Sequence, residues 1–429
     1  MRSLFHSLNR NLPSPAGAAG QAPQATASSP PPSPVAVRAR HHRPNRDGAS
    51  ANSPPHDHSA ARATTDELRR ESIVARLAIG YGGLVEPPIF ALFVTRGLED
   101  IAAKEFTTRS RGGRVLETRP KVLLVKADIA ALKRLRTVDD VAVVSAQSSS
   151  VERLDNLTDL VSRADLEKSM MIAGRIGSFS GEFSVTVSAA RTALGPAKVI
   201  EDAVSQAVSK HYGWRHVEMQ RAAIDVRMFV DGTWALVGVR LFDQPLSRRS
   251  YRTANIRGSL RPTVAAALVM LAVDNGQRKR IWDPFCGAGT ILCEAASMGH
   301  EIWGTDIDPE AVNASRENLS AVSSEFWTRI ENADSTSPKT WQKHRSVDAI
   351  VSNLPWGKQV GIKSKQALYN SIASGVAQLA RRGGVGVLLT AEPQPIVQRL
   401  SRDPDVTVDE RRIGLLGQTP TILIIRSAQ

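Results

Sequence analysis

The 429-residue chain reads as α/β, with a mostly parallel sheet in its second half, and three observations predict this. The first is a strand, a glycine turn and a helix in succession. Arg280-Ile281-Trp282 closes on Asp283-Pro284-Phe285-Cys286-Gly287-Ala288-Gly289-Thr290, and Thr290 to Ala296 then has helical spacing. The second is Glu301-Ile302-Trp303-Gly304-Thr305-Asp306, a strand ending on a carboxylate. It lies at about the 20-residue offset at which an acidic group meets ribose hydroxyls. The third is the buried strand Val347 to Ser352, which runs into the polar, aromatic turn Asn353-Leu354-Pro355-Trp356. Strands alternating with helices imply a parallel sheet, with ligands at the carboxyl ends of its strands.

Charge and composition narrow the function classes. Lys+Arg 55 against Asp+Glu 42 leaves a formal charge of +13, which suits a polyanionic partner. The two cysteines, Cys286 and Cys293, exclude a disulfide scaffold and a multi-cysteine zinc site. Cys293 falls mid-helix among apolar residues and reads as core. No apolar run approaches the roughly 18 residues of a membrane span, so the chain reads as soluble.

Residues 1–64 are rich in Pro, Ser, Ala and Arg, with no acidic residue before Asp47. Such a segment cannot bury enough apolar surface to offset its ordering entropy and is expected to be a disordered basic tail. Its first ten residues also have the look of an organellar transit peptide, so a cytoplasmic chain is the first expectation and organellar targeting the alternative. His41, His42, His56 and His58 lie in this tail and give only a remote prospect of metal binding.

From 65 to 245 the pattern is a small α+β region. Strands are expected at Ile89 to Val94 and Val122 to Val125, and helices at Arg96 to Glu105 and Ala127 to Arg136. A strand at Phe183 to Ser188 precedes a helix from Pro196 to Lys210. Ile224 to Val230 and Thr233 to Leu241 flank Asp231-Gly232, a turn suited to a hairpin. Residues 246–258 form a basic linker in which Arg248, Arg249, Arg252 and Arg257, with Arg261 just beyond, surround Tyr251. Planar guanidinium forks suit phosphate oxygens and Tyr can stack on a base, so these side chains are candidate RNA contacts, a charged solvated linker being the alternative.

The last region, 259–429, should open with Ser259 as N-cap of an apolar helix carrying Pro262 in its first turn and ending at Val273. Asp308 caps a helix from Pro309 to Leu319, and a third strand ends near Asn332-Ala333-Asp334. Then follow a helix from Gln366 to Ala380, a strand from Val385 to Thr390 and a helix from Pro395 to Leu400. The strands Val406 to Ile413 and Thr421 to Ile425 close the sheet as an antiparallel edge hairpin.

The motifs Asp283 to Thr290, Asp306 and Asn353-Leu354-Pro355-Trp356 together resemble those of class I S-adenosylmethionine-dependent methyltransferases that modify amino groups. Thr95-Arg96-Gly97-Leu98-Glu99-Asp100, the hairpin, and Leu246 to Arg252 resemble a THUMP-containing region. Residues from about 88 to 427 are thereby similar to the THUMP-domain guanine-N2 RNA methyltransferases. The resemblance implies a Rossmann-like, seven-stranded catalytic domain behind a ferredoxin-like/THUMP region that binds structured RNA, tRNA above all. It implies S-adenosylmethionine as cofactor, with Gly287 and Gly289 at its methionine portion, Asp306 at the ribose and Asp334 at the adenine amino group. Asp283 orients the glycine turn or meets the cofactor's amino group, and Phe285 and Thr290 belong to the same cradle. Asp308 reads as a cap rather than a ligand.

An exocyclic amino group is a poor nucleophile, because its lone pair is delocalised into the ring. The side-chain oxygen of Asn353 and the carbonyl of Leu354 can accept its N–H bonds and leave the lone pair aimed at a methyl donor. Pro355 stiffens the turn and Trp356 offers a face for an extruded base. The family's motif is Asp or Asn, two residues ending in proline, then an aromatic. Leucine in the second place is compatible, because that position works through its backbone. The turn serves any exocyclic amino group, so guanine N2 in tRNA, guanine N2 in rRNA and adenine N6 in nucleic acid all remain open. A non-catalytic RNA-binding protein is the reading from another class, and intact Gly287, Gly289, Asp306 and Asn353 weigh against it.

Overall fold

The computed structural model describes residues 87–428, except 176, 178, 274–276, 278, 356–364 and 416, and omits the side chain of Trp327. The expected tail, with its histidines, and Trp356 lie outside the described residues.

Among the described residues, fifteen strands form two sheets. In the first half the order along the chain is β1 (Phe90–Val94), α1 (Glu99–Arg109), β2 (Arg114–Arg119), β3 (Val122–Lys126), α2 (Ile129–Leu132), β4 (Val138–Ser148), α3 (Leu154–Ser162) and α4 (Leu166–Ile172). Next come β5 (Glu182–Ala190), α5 (Ala197–Tyr212), β6 (Arg215–His216), β7 (Ile224–Asp231) and β8 (Trp234–Arg240). These strands make one eight-stranded sheet in the order β2-β3-β1-β4-β8-β7-β5-β6. Its only parallel neighbours are β5 with β6 and β5 with β7. The Asp231-Gly232 hairpin is present, with Asp231 opposite Trp234.

Five elements here escaped the sequence pattern (β2, β4, β6, α3 and α4), and for β2 and β4 the physical reason is plain. β2 is a half-exposed strand of charged and apolar residues (Arg114-Val-Leu-Glu-Thr-Arg119) at the sheet edge. β4 runs through Asp139 and Asp140, which a strand pattern would reject. Asp140 is buried because Arg240 Nε bonds its carboxylate at 2.9 Å and Arg227 lies at 3.6 Å.

The second half comprises α6 (Pro262–Ala272), β9 (Arg280–Asp283), α7 (Thr290–Ser297), β10 (Glu301–Asp306), α8 (Pro309–Ser320), β11 (Ile330–Asn332) and α9 (Pro338–Lys343). β12 (Ala349–Asn353), α10 (Lys365–Ala380), β13 (Val385–Thr390), α11 (Gln394–Leu400), β14 (Val406–Arg412) and β15 (Thr421–Ser427) complete it. The seven-stranded order is β11-β10-β9-β12-β13-β15-β14. β15 is antiparallel to both of its neighbours and sits between β13 and β14. The expected antiparallel edge hairpin is present; within it the reversed strand β15 is interior, and β14, at the edge, runs parallel to β13.

Helices cover both faces of this sheet. On one, Val264 and Leu268 of α6 pack with Ile281, Val351, Val387 and Leu389. On the other, Tyr369, Ile372 and Val376 of α10 pack with Trp282, Ile350 and Leu388. Ser259 is not the cap of α6. Its Oγ donates to the carbonyl of Ile256 at 2.7 Å, and Arg261 occupies the N-cap position with Pro262 at the first turn. Asp308 does cap α8, accepting from the N–H of Glu310 at 2.9 Å.

Candidate active site

The carboxyl ends of β9, β10 and β12 bring the motif residues together. β9 lies between the other two, with Gly304 opposite Asp283 on one side and Ile350 opposite Trp282 on the other. Asp283, Asp306 and Asn353 are the last residues of three adjacent strands.

The glycine turn is locked from below. Thr305 Oγ1 and Ser335 Oγ both donate to the carbonyl of Pro284, at 3.3 and 2.7 Å, and the N–H of Cys286 donates to the carbonyl of Thr305 at 3.0 Å. Gly287 and Gly289 hold φ of 53° and 74°, a region that side chains disfavour. A Cβ on Gly289 would also run into Ser315 Oγ of α8, so glycine there sets the approach of two helices. α7 begins at Thr290, and among the described residues no side chain caps it. Its first N–H groups and the positive end of its dipole face the carboxyl edge of the sheet.

The carboxylates have distinct tasks. Asp283 is buried; its Oδ1 accepts from the N–H of Phe285 at 3.1 Å and from Ser352 Oγ at 2.6 Å. Burial pushes its pKa up to about 7, against the pull of those two hydrogen bonds. Asp306 accepts from the N–H of Gly287 at 2.8 Å and of Asp308 at 3.0 Å, so each oxygen keeps a lone pair for a further donor such as a hydroxyl. Burial raises its pKa as well. Asp334 is exposed, just past β11, and its Oδ1 is turned back on Thr336, to N–H at 2.8 Å and Oγ1 at 2.7 Å. Phe285 packs against the α10 side of the core, and Thr290 is buried at the start of α7.

At the end of β12, Asn353 Oδ1 is buried and accepts no hydrogen bond among the described residues. A buried amide oxygen left without a donor costs about 1–3 kcal/mol, and such an atom at the mouth of a site points to a donor brought by a ligand. Leu354 is buried and anchored by its N–H to the carbonyl of Leu389 at 2.9 Å, which fixes the corner that Pro355 then stiffens. These observations suit the expected cofactor and acceptor: an uncapped helix start behind positive-φ glycines, two carboxylates with capacity, and an unpartnered amide oxygen.

The linker candidates divide. Arg248 and Arg257 are exposed, and Arg252 is half-buried with one N–H on Asn255 Oδ1 at 2.6 Å. Arg249 and Tyr251 are corrected: both are consumed inside the protein. Arg249 Nε bonds Glu294 at 2.9 Å, and its other nitrogens donate to the carbonyls of Leu246 and Arg136. Tyr251 is buried in the core around α6 and donates to Glu294 at 2.7 Å. Burial beside that carboxylate drives its phenol pKa up. Tyr251 is thus buried, and all three guanidinium nitrogens of the partly buried Arg249 are engaged within the protein.

Two residues outside the motifs complete the frame. Glu294 of α7, 0% exposed, also takes Arg136 Nε from the first half at 2.6 Å. Asn318 of α8 accepts from the N–H groups of Thr253 and Ala254, at 3.0 and 2.9 Å. It donates to the carbonyls of Ala254 and Ala288, at 2.9 and 2.8 Å. It thus pins the linker to the glycine turn. No local pattern flags either residue, because each looks like an ordinary polar residue on a helix until the tertiary partners are known.

Among the described residues no helix is long and apolar enough to cross a membrane, and no cluster of His, Cys, Asp or Glu is placed to hold a metal ion.

Residues 249–420 match the UPF0020 family profile, described as an RMKL-like methyltransferase domain. The tRNA (guanine(6)-N2)-methyltransferase of Thermus thermophilus is 37% identical over 199 residues, covering 45% of this chain and 57% of that protein. The U6 snRNA (guanine-N(2))-methyltransferase THUMPD2 of Homo sapiens is 30% identical over 212 residues, covering 49% of this chain and 39% of that protein. The chain thus spans about two-fifths to just over half of these curated relatives' lengths. The crystal structure of TrmN from Thermus thermophilus superposes on 79% of this chain and 99% of its own, with a TM-score of 0.62 and 25% identity. Fold, motif geometry and similarity agree: residues 249–420 are similar to the RMKL-like methyltransferase domains of the UPF0020 profile, and the chain has the class I S-adenosylmethionine-dependent methyltransferase fold seen in TrmN.

Proposed function

We propose that the protein methylates the exocyclic N2 amino group of a guanosine in tRNA, with S-adenosylmethionine as donor, and that residues 65–245 bind the RNA. The observation that carries the reading is the buried, unpartnered Oδ1 of Asn353 at the carboxyl edge, two strands from Asp306. An amide oxygen is suited to a neutral N–H donor, and the exocyclic amine of a base is such a group. Guanine rather than adenine is favoured by the named activities of the similar proteins from Thermus thermophilus and Homo sapiens, and tRNA as the substrate by the activity of the Thermus thermophilus protein.

S-adenosylmethionine, when bound, supplies an electrophilic methyl group on a sulfonium. The chain's part is alignment and tuning. Gly287, Gly289 and the open start of α7 would hold the amino-acid portion, with Asp283 orienting the turn beside Phe285 and Thr290. Asp306 would accept the ribose hydroxyls, and Asp334 would receive the adenine amino group once its bond to Thr336 opens. Asn353 Oδ1 and the Leu354 carbonyl orient the acceptor's N–H bonds and stabilise positive charge as it develops on nitrogen. Asn353 is not a base; the proton leaves to water after transfer. Trp356 is assigned the stacking face for the extruded base. Arg248, Arg252 and Arg257 are assigned to the RNA backbone.

Incubation with labelled S-adenosylmethionine and total tRNA, followed by digestion to nucleosides, tests this reading. N2-methylguanosine is expected. N6-methyladenosine would move the acceptor to adenine, and no labelled nucleoside in tRNA or rRNA would leave an RNA-binding protein without turnover.

A further inference from the structure

We infer that a cavity of about 670 Å³ between the two halves of the chain is a phosphate site for the RNA substrate. Arg96, Gly97 and Arg119 of the first half line it, together with Arg412, Gly414 and Thr419 of the second. The inference rests on the RNA substrate proposed above and assigns it a contact outside the methyl-transfer site.

The walls are fixed. The N–H of Gly414 donates to the carbonyl of Arg96 at 2.9 Å, and a Cβ on Gly97 would come within 2.5 Å of the Arg412 carbonyl. Arg411, next in the chain, is held by both oxygens of Asp100. Arg119 is braced by Glu117 at 2.6 Å and lies over the Trp234 ring, 4.5 Å from its centre. Glu99, the carboxylate at the cavity, accepts from the N–H groups of Gly97 and Lys121 at 2.8 and 2.9 Å. That leaves Arg96 and Arg412, both exposed, with no carboxylate partner among the described residues. Two uncompensated guanidinium groups and the hydroxyl of Thr419 around one concavity suit phosphate oxygens.

The strand register relates the cavity to the acceptor corner. Arg412 is opposite Thr421 on β15, Thr421 is opposite Thr390 on β13, and the preceding residue, Leu389, is opposite Asn353 on β12. Three strand spacings of about 4.8 Å put Arg412 about 14 Å from Asn353 along the same carboxyl edge. A strand whose base is drawn out at Asn353 would therefore meet the cavity with its backbone only a few nucleotides away. Because both halves supply the guanidinium groups, occupancy would register the RNA against the two halves together.

The test uses the full chain and the double variant Arg96→Gln/Arg412→Gln, whose changes are at exposed side chains. RNA affinity is measured across a salt series beside S-adenosylmethionine affinity, and inorganic phosphate is titrated against each protein. The variant is expected to bind RNA about 10-fold more weakly at 0.1 M salt, with the log–log salt slope reduced by about 1 to 2. Its KM for RNA should rise while S-adenosylmethionine affinity stays as in the parent. Parent RNA binding and methylation with an unchanged slope in the variant would overturn the cavity assignment alone. Phosphate binding lost in the variant without any change in RNA affinity would overturn RNA as its source. A parent that neither binds nor methylates RNA would overturn both proposals.

Discussion

Ser352 Oγ donates a 2.6 Å hydrogen bond to Asp283 Oδ1, with both residues buried. One partner ends β9 and opens the glycine turn; the other immediately precedes Asn353 on the neighbouring strand. Cofactor cradle and acceptor corner are thus joined by a single bond between side chains.

Free-protein stability should fall as pH rises through neutrality. Burial raises the folded pKa of Asp283 to about 7 from an ordinary 3.8, so the folded chain holds this proton more tightly than the unfolded one. The resulting contribution is complete below about pH 4 and is lost as pH rises through about 7, at no more than about 1.4 kcal/mol per pH unit. Asp306 is raised too and acts with the same sign. Urea denaturation at pH 5, 6, 7 and 8 should show the decline, and Asp283→Asn should flatten it. A parent profile that rises over this range would exclude it.

Ligand binding should have the opposite pH dependence. A cationic amino group near Asp283 favours the carboxylate, so proton release accompanies binding and S-adenosylmethionine affinity should increase from pH 6 to 7.5 and then level. Titration calorimetry in two buffers of different ionisation heat would detect that proton. An affinity independent of pH, with no proton released, would remove Asp283 from the cofactor's amino end.

Glu294 should be the costliest single charge to remove. It is fully buried and receives Arg136 from the first half and both Arg249 and Tyr251 from the linker. Glu294→Ala leaves two guanidinium groups facing a void and should cost about 3–5 kcal/mol in urea denaturation. Glu294→Gln keeps the shape and should cost less. A loss below about 1 kcal/mol for the alanine variant would show that the arginines find water instead.

Asn318→Ala should lower both stability, by about 2–4 kcal/mol, and S-adenosylmethionine affinity, because it frees the Ala288 carbonyl of the glycine turn together with Thr253 and Ala254. Asn318→Asp should be worse, since an added carboxylate oxygen would face the carbonyls of Ala254 and Ala288. Equal stability of all three proteins would contradict the pinning role.

The second half was legible because its elements obey local rules: β9, β10, β12 and β13 carry apolar runs bounded by glycine, proline and carboxylates. Asp283, Asp306 and Asn353 could be placed from order alone, since parallel strands present their carboxyl ends to one edge. What failed depended on partners remote in sequence. Asp139 and Asp140 hid β4, because the arginines that neutralise Asp140 lie on β7 and β8. Arg249 and Tyr251 looked available for RNA because Glu294, which claims them, is an unremarkable helix residue in the sequence. Ser259 fits the preference for an N-cap, yet its hydroxyl closes the preceding turn on Ile256.

Asn353→Ala, assayed for single-turnover methylation of tRNA beside its affinity for S-adenosylmethionine, tests the central claim most directly. The account predicts a rate lower by about 100-fold or more with cofactor affinity within about two-fold of the parent. Methylation within a few-fold of the parent would contradict it, since the buried amide oxygen would then have no part in orienting the amine.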